Sequence, residues 1–163
     1  MIEIRPATPD DLAAVRVLWN ALIRDTDITF TTTEKTDADV TAFFDRQTSG
    51  GDPFLVAVLD GNVVGFASFH PFRTGDGYRT SRELSINLGP EARRQGVGRR
   101  MIAALEQHAR DAGVHSLIAG VTATNAPSRA FFASLGFKDA GQLPEIAFKF
   151  DRWQTLVLMQ KIL

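Results

Sequence analysis

The stretch RRQGVGRR, residues 93–100, constrains this chain more than any other, because of what flanks it. Before it, RELSINL (82–88) alternates polar and apolar residues and stops at Gly89-Pro90, the pattern of a half-buried strand. After it, Val97, Met101, Ile102, Leu105, Ala109 and Ala112 fall on one face of a helix closed by Gly113. Another apolar run, HSLIAGVTA, follows and reads as a short buried strand. Strand, glycine turn, long amphipathic helix and strand in succession point to a mixed α/β fold.

The remaining segments fill in around this centre. MIEIRPAT begins a short strand, and Thr8, Pro9 and two acids open a helix whose apolar positions are Leu12, Val15, Leu18, Trp19 and Leu22. DTDITFTTTEKT is polar and threonine-rich and reads as a loop; a second helix restarts at Thr36. Two β-rich runs around Asp60-Gly61-Asn62 form a hairpin, and a loop runs from Pro71 to Thr80. APSRAFFASLGF is a short helix ending at Gly136, and EIAFKF and WQTLVLMQKIL supply two closing strands. The expected architecture is one α/β domain spanning 1–163, a mixed central sheet of about seven strands flanked by about four helices.

Composition narrows the class. Eighteen Lys+Arg against nineteen Asp+Glu leave a net charge of -1, without the global field of a general nucleic-acid binder. With no cysteine there can be no disulfide, thiolate metal site or catalytic thiol. His70, His108 and His115 lack ligand spacing, so no metal is expected. No apolar run approaches the ~20 residues that span a bilayer, and the N-terminus shows no secretory or transit pattern. A cytoplasmic protein with no membrane or nucleic-acid partner is the expectation.

The glycine loop is neither a Walker A loop, which needs Lys-Ser/Thr after the glycines, nor a full dinucleotide fingerprint, since Met101 stands where the third glycine would. A helix N-terminus with unpaired amides favours phosphate, glycines let backbone approach closely, and Arg93, Arg94, Arg99 and Arg100 add charge. Local physics leaves two readings open: an anion cradle, or a glycine-relaxed turn with solvated arginines.

RRQGVG also fits the Q/R-x-x-G-x-G/A signature of the GNAT superfamily of N-acetyltransferases, with Arg93, Gly96 and Gly98 at its defining positions. TNAPSRAFFASLGF resembles the superfamily's second CoA element, and RPATPDDL, ITF, FRTGDGYR, ELS and KFDRW are similar to the phosphinothricin and methionine sulfoximine acetyltransferase branch. The resemblance runs over nearly the whole chain. It implies acetyl-CoA as co-substrate, its pyrophosphate on the amides of Arg94, Gln95, Gly96, Val97, Gly98 and Arg99. Its pantetheine arm would lie along the backbone of Ile86, Asn87 and Leu88, between two splayed strands. Asn125 and Ser134 match CoA-contacting positions.

Period 2 places Glu83, Ser85 and Asn87 on one face of the strand and Leu84, Ile86 and Leu88 on the other. An ammonium has no lone pair, so a carboxylate must take its proton before it can attack a thioester. Glu83 aligns with the family's general base, and the Leu88 amide with the donor that meets the thioester oxygen. That amide is expected to be free only if the strand is bulged. Phe132 stands where the branch often has a histidine, so water or no acid at all is expected to serve the leaving thiolate. On the acceptor side the resemblance points to Phe30, Arg73, Thr74 and Gly75, with Leu84 and Ser85 beside Glu83. Arg73 suits a carboxylate. Lys149 and Trp153 match a segment near the pocket and the interface of the homodimer common in the family. The implied acceptor is the α-amine of a small amino acid or analogue; a peptide or protein amine, or a non-catalytic acyl-CoA sensor, are the alternatives.

Overall fold

A computed structural model describes residues 1–163. Strand β1 (Ile2–Pro6) leads through a 3-10 turn at Pro9–Asp11 into helix α1 (Leu12–Asp25), followed by α2 (Asp37–Gly50). The hairpin β2 (Phe54–Leu59) and β3 (Asn62–Pro71) comes next, then β4 (Ser81–Leu88) and α3 (Val97–Asp111). The chain closes with β5 (Ser116–Thr122), α4 (Ala126–Ser134), β6 (Lys138–Lys149) and β7 (Arg152–Ile162). The seven strands form one sheet in the order β1-β2-β3-β4-β5-β7-β6. Every neighbour pair is antiparallel except β4 and β5, which are parallel.

Local chemistry fixes the helix starts. Thr36 and Asp39 cap α2 reciprocally: the Asp39 amide donates to Thr36 Oγ1 at 3.1 Å, and the Thr36 amide to Asp39 Oδ2 at 2.8 Å. Before α1, Asp11 accepts from the Thr8 amide at 2.8 Å and from both guanidinium nitrogens of Arg5, at 2.7 and 2.9 Å. The Arg5 fork, with help from Thr8, pulls the Asp11 carboxyl down to about 2.

The sheet is packed on both faces. Val15 of α1 and Val40 of α2 pack with Phe54, Val56 and Phe66 on one side, closed by Trp19 and Phe43 in edge contact at 5.3 Å. On the other, Met101, Ile102 and Leu105 of α3 and Phe132 of α4 join Ala67, Phe69, Leu84, Leu117 and Val157. β6 departs from expectation: it begins at Lys138, seven residues ahead of Glu145. Its first half, KDAGQLP, is polar and carries a glycine and a proline, so alternation gives no signal. It pairs with β7 at the sheet edge, with register shifts at Asp139/Gly141 and Leu143/Ala147.

Candidate active site

The sheet opens between its two parallel strands. β4 pairs with β5 from Ser81 opposite Ser116 to Leu84 opposite Ala119, and no further. Beyond Leu84 it stays joined to β3 alone, through Leu88 opposite Gly65, while β5 continues along β7 to Thr122 opposite Leu156. The direction of the freed groups follows from hydrogen-bond alternation. The Gly89 amide donates to the Val64 carbonyl at 2.9 Å and the Phe72 amide to the Ser81 carbonyl at 3.3 Å, so odd-numbered residues of this strand face β3. The Thr80 carbonyl accepts from the His115 and Ser116 amides, so even-numbered residues face β5. The main-chain groups of Ile86 and Leu88 therefore point into the gap.

This corrects the expectation of a bulge. The β3–β4 register runs unbroken from Pro71 opposite Arg82 to Gly65 opposite Leu88. The Leu88 amide is released by the divergence of β5 instead.

At the C-terminal end of β4 the glycine loop forms a row of unused donors. The backbone amides of Arg94, Gln95, Gly96, Val97, Gly98 and Arg99 donate to no acceptor in the protein; the first bond of the α3 ladder is Arg100 to the Gly96 carbonyl, at 3.1 Å. The loop curls through two left-handed residues, Arg94 at φ 60° and Gly96 at φ 75°. Gly98 has a different reason to be glycine: a Cβ there would stand 3.1 Å from Phe131 Cζ and 3.2 Å from Leu88 Cδ1. Open amides, a helix N-terminus and four arginines together make the anion cradle the better of the two readings of this loop.

Two cavities meet at the split. The outer one, about 600 Å³, runs from Leu88 and the glycine loop to α4; the inner one, about 230 Å³, lies over Glu83, Ser85 and Asn87. Ile28, Ile86, Asn125, Ser128 and Phe132 line both and form their junction. Asn125 is held there as the cap of α4, accepting from the Ser128 amide at 3.2 Å. Phe132 is buried and meets Phe131 and Phe137 edge-on at 5.3 and 5.2 Å, so its own position in the junction offers no proton donor.

The inner cavity is more polar. The Glu83 side chain is 31% exposed, and its Oε2 lies 3.8 Å from His70 Nε2, its register partner on β3. Asn87 is buried and donates from Nδ2 to Ser85 Oγ at 3.1 Å. Gly120 lies beneath the carboxylate: a Cβ there would crowd Leu156 Cδ1 at 3.2 Å and meet Glu83 Oε1 at an ordinary contact distance of 3.5 Å. The wall opposite comes from the α1–α2 loop, through Ile28, Thr29 and Thr31. That loop is tied down by side chains of β5, β6 and β7. Lys149 Nζ donates to the Thr29 carbonyl at 2.7 Å, Thr122 Oγ1 to the Asp27 carbonyl at 2.6 Å, and Arg152 to the Asp27 carboxylate at 2.9 Å. Burial pushes the Lys149 ammonium below its usual range, partly offset by Asp27.

The residues singled out from the sequence divide accordingly. Ile86, Leu88, Arg93, Arg94, Gly96, Val97, Gly98, Arg99 and Asn125 line the outer cavity, and Glu83, Leu84, Ser85, Ile86 and Asn87 the inner one. The Gln95 side chain turns back to the Glu91 carbonyl at 2.6 Å, which leaves only its amide toward the cleft. Ser134 is exposed outside the wall and touches the site only by accepting from Arg99 at 3.3 Å. Phe30, Arg73, Thr74 and Gly75 are not in the wall; Arg73 is exposed and stacks over Phe72 at 5.3 Å. The inner cavity has no lysine or arginine in its lining. Sequence reasoning missed Ile28, Ser128 and His70. Ser128 was findable, one helical turn ahead of Phe132, whereas His70 needed the β3–β4 register.

No cluster of three or more His, Asp or Glu side chains is arranged to hold a metal, and no helix is long and apolar enough to cross a membrane. A split parallel pair with a row of open amides at its end defines an anion-accepting cleft on an α/β fold. The model of the acetyltransferase (GNAT) family matches residues 19–137, and the chain belongs to that family of N-acetyltransferases. It is 36% identical over 160 residues to the L-amino acid N-acyltransferase MnaT of Escherichia coli, covering 98% of this chain and 92% of that one. To the L-methionine sulfoximine/L-methionine sulfone acetyltransferase of Pseudomonas paraeruginosa it is 34% identical over 159 residues, covering 97% and 92%. To the phosphinothricin N-acetyltransferase of Alcaligenes faecalis it is 33% identical, covering 97% and 81%. Among solved structures, yncA of Salmonella typhimurium with its cofactor acetyl-CoA superimposes with a TM-score of 0.94 at 32% identity, covering 99% and 93%. The ribosomal-protein-alanine N-acetyltransferase of Brucella melitensis superimposes with a TM-score of 0.96 at 40% identity, covering 99% of each chain.

Proposed function

We propose that the protein transfers the acetyl group of acetyl-CoA to the α-amine of a small amino acid or analogue of the methionine sulfone, methionine sulfoximine or phosphinothricin type. The observation that carries this is the row of six unpaired amides, Arg94 to Arg99, at the mouth of a split that exposes the Ile86 and Leu88 backbone. Diphosphate suits the first, and an extended pantetheine amide chain suits the second. Acetyl-CoA supplies an activated thioester; everything else is the work of this chain. Glu83 takes the ammonium proton, directly or through water, so that a neutral nitrogen attacks. The Leu88 N–H, fixed by the β3 pairing of its neighbours, stabilises charge on the thioester oxygen. With Phe132 at the junction, a water meets the thiolate or none is needed. Arg73 is the candidate for the acceptor's carboxylate, since the inner wall supplies no arginine or lysine of its own.

The test is thiol release with acetyl-CoA and a panel of the twenty amino acids plus methionine sulfone, methionine sulfoximine and phosphinothricin. Turnover on at least one of them is expected, with kcat falling about 10²–10⁴-fold in Glu83→Gln and binding of acetyl-CoA retained. Undiminished turnover in that variant removes Glu83 from the mechanism. The likeness to the Brucella melitensis enzyme favours a second reading, a peptide N-terminus as acceptor. The inner cavity of about 230 Å³ supports the smaller acceptor. Faster acetylation of an alanine-initiated peptide than of any free amino acid reverses that order.

A further inference from the structure

Each turnover deposits one proton on Glu83, and that proton must leave before the next. Only two side chains in the inner cavity wall are acid–base groups, Glu83 and His70. They are register partners on β4 and β3, with Glu83 Oε2 and His70 Nε2 3.8 Å apart. Their exposures are graded: the Glu83 side chain is 31% exposed, and the His70 side chain 52%. His70 is the more solvent-exposed member of the pair and the acid–base group beside the carboxylate. The other charged pair at this corner, Arg82 with Asp52 at 3.3 Å, is occupied with itself.

We propose that His70 is the proton outlet of Glu83. The inference rests on Glu83 being the base, and it adds a residue that acts through Glu83 rather than on the substrate. The ammonium gives a proton to the Glu83 carboxylate and becomes a neutral amine. The Glu83 carboxylic acid passes that proton to His70 Nε2 and is a carboxylate again; the imidazolium then releases it to solvent. The step requires the tautomer protonated at Nδ1, which leaves Nε2 as the acceptor. At 3.8 Å the pair is beyond hydrogen-bond length, and a side-chain rotation or one bridging water closes the gap.

The experiment compares His70→Ala and His70→Gln with the unaltered enzyme, reading kcat and the acetyl-CoA KM separately, with thermal unfolding to verify the fold. Both variants are expected to lose at least about tenfold in kcat, with the acetyl-CoA KM unchanged. Free imidazole in the assay should restore His70→Ala, because a base diffusing to the vacated position can take the proton. Unchanged kcat in both variants overturns the proposal, and so does a loss that imidazole does not relieve. Glu83→Gln is measured in parallel. If it keeps full kcat, the base assignment itself fails; if it loses activity while His70→Ala does not, only the outlet fails. Imidazole that restores Glu83→Gln equally would be acting on the amine directly, which also overturns the outlet.

Discussion

At Gly98 the smallest side chain is a requirement of distance, and at Gly96 of angle. A methyl group on Gly98 would press on Phe131 and on Leu88, the residue whose amide faces the split. A methyl on Gly96 meets nothing within 4 Å, but the φ of 75° is one that L residues rarely adopt. The two alanine variants should therefore differ in kind. Gly96→Ala should cost about 1 kcal/mol of stability and move the loop amides as a secondary effect. Gly98→Ala should weaken acetyl-CoA affinity roughly tenfold or more by displacing Leu88 and Phe131, a shift of about 1.4 kcal/mol. Calorimetric titration with acetyl-CoA alongside thermal melts separates the two; equal affinity in Gly98→Ala and unaltered protein contradicts the close-packing argument.

One loop and the three strands that hold it decide the shape of the acceptor side. Residues 26–31 are not regular structure, yet three bonds from β5, β6 and β7 hold them over Glu83: Thr122 and Arg152 to Asp27, and Lys149 to Thr29. Lys149 is buried to do this, and its ammonium is spent on a backbone carbonyl rather than on chemistry. Lys149→Met keeps the volume of the side chain and removes the bond. It should raise the KM for the acceptor several-fold, on the order of tenfold at most, and leave acetyl-CoA affinity alone, because the loop meets the outer cavity only through Ile28. An acceptor KM equal to that of the unaltered enzyme would show that the loop holds its place without the lysine.

Across the whole molecule, exposed apolar side chains gather at the β6 edge of the sheet and its turn into β7. Leu143, Ile146, Phe148, Phe150 and Trp153 are each 41–61% exposed, and Phe148 and Trp153 meet edge-on at 5.1 Å. An exposed apolar edge strand of this kind invites a partner. We propose a homodimer joined through this edge. Sedimentation should give twice the 17.9 kDa chain mass, with Trp153→Glu shifting it to monomer. A monomer for the unaltered protein at assay concentrations refutes the dimer.

The amino-acid sequence by itself determined the succession of elements and the place of the glycine turn, because both are local; that the turn's amides stand open was decided by the fold. Helical spacing from Val97, the stop at Gly89-Pro90 and two glycines before a helix are written within twenty-five consecutive residues. Period 2 likewise put Glu83, Ser85 and Asn87 on one face without any knowledge of neighbours. The tertiary structure decided everything that depends on which strand lies next to which. The Leu88 amide is free because β5 parts from β4 after Ala119, a fact about two strands and not one. His70 reaches Glu83 only through the register of an antiparallel pair thirteen residues apart in the chain. The first half of β6 is a strand only because β7 offers it hydrogen bonds. Short-range patterns record each segment's own preferences, whereas pairing energies belong to partners that meet only once the chain has folded.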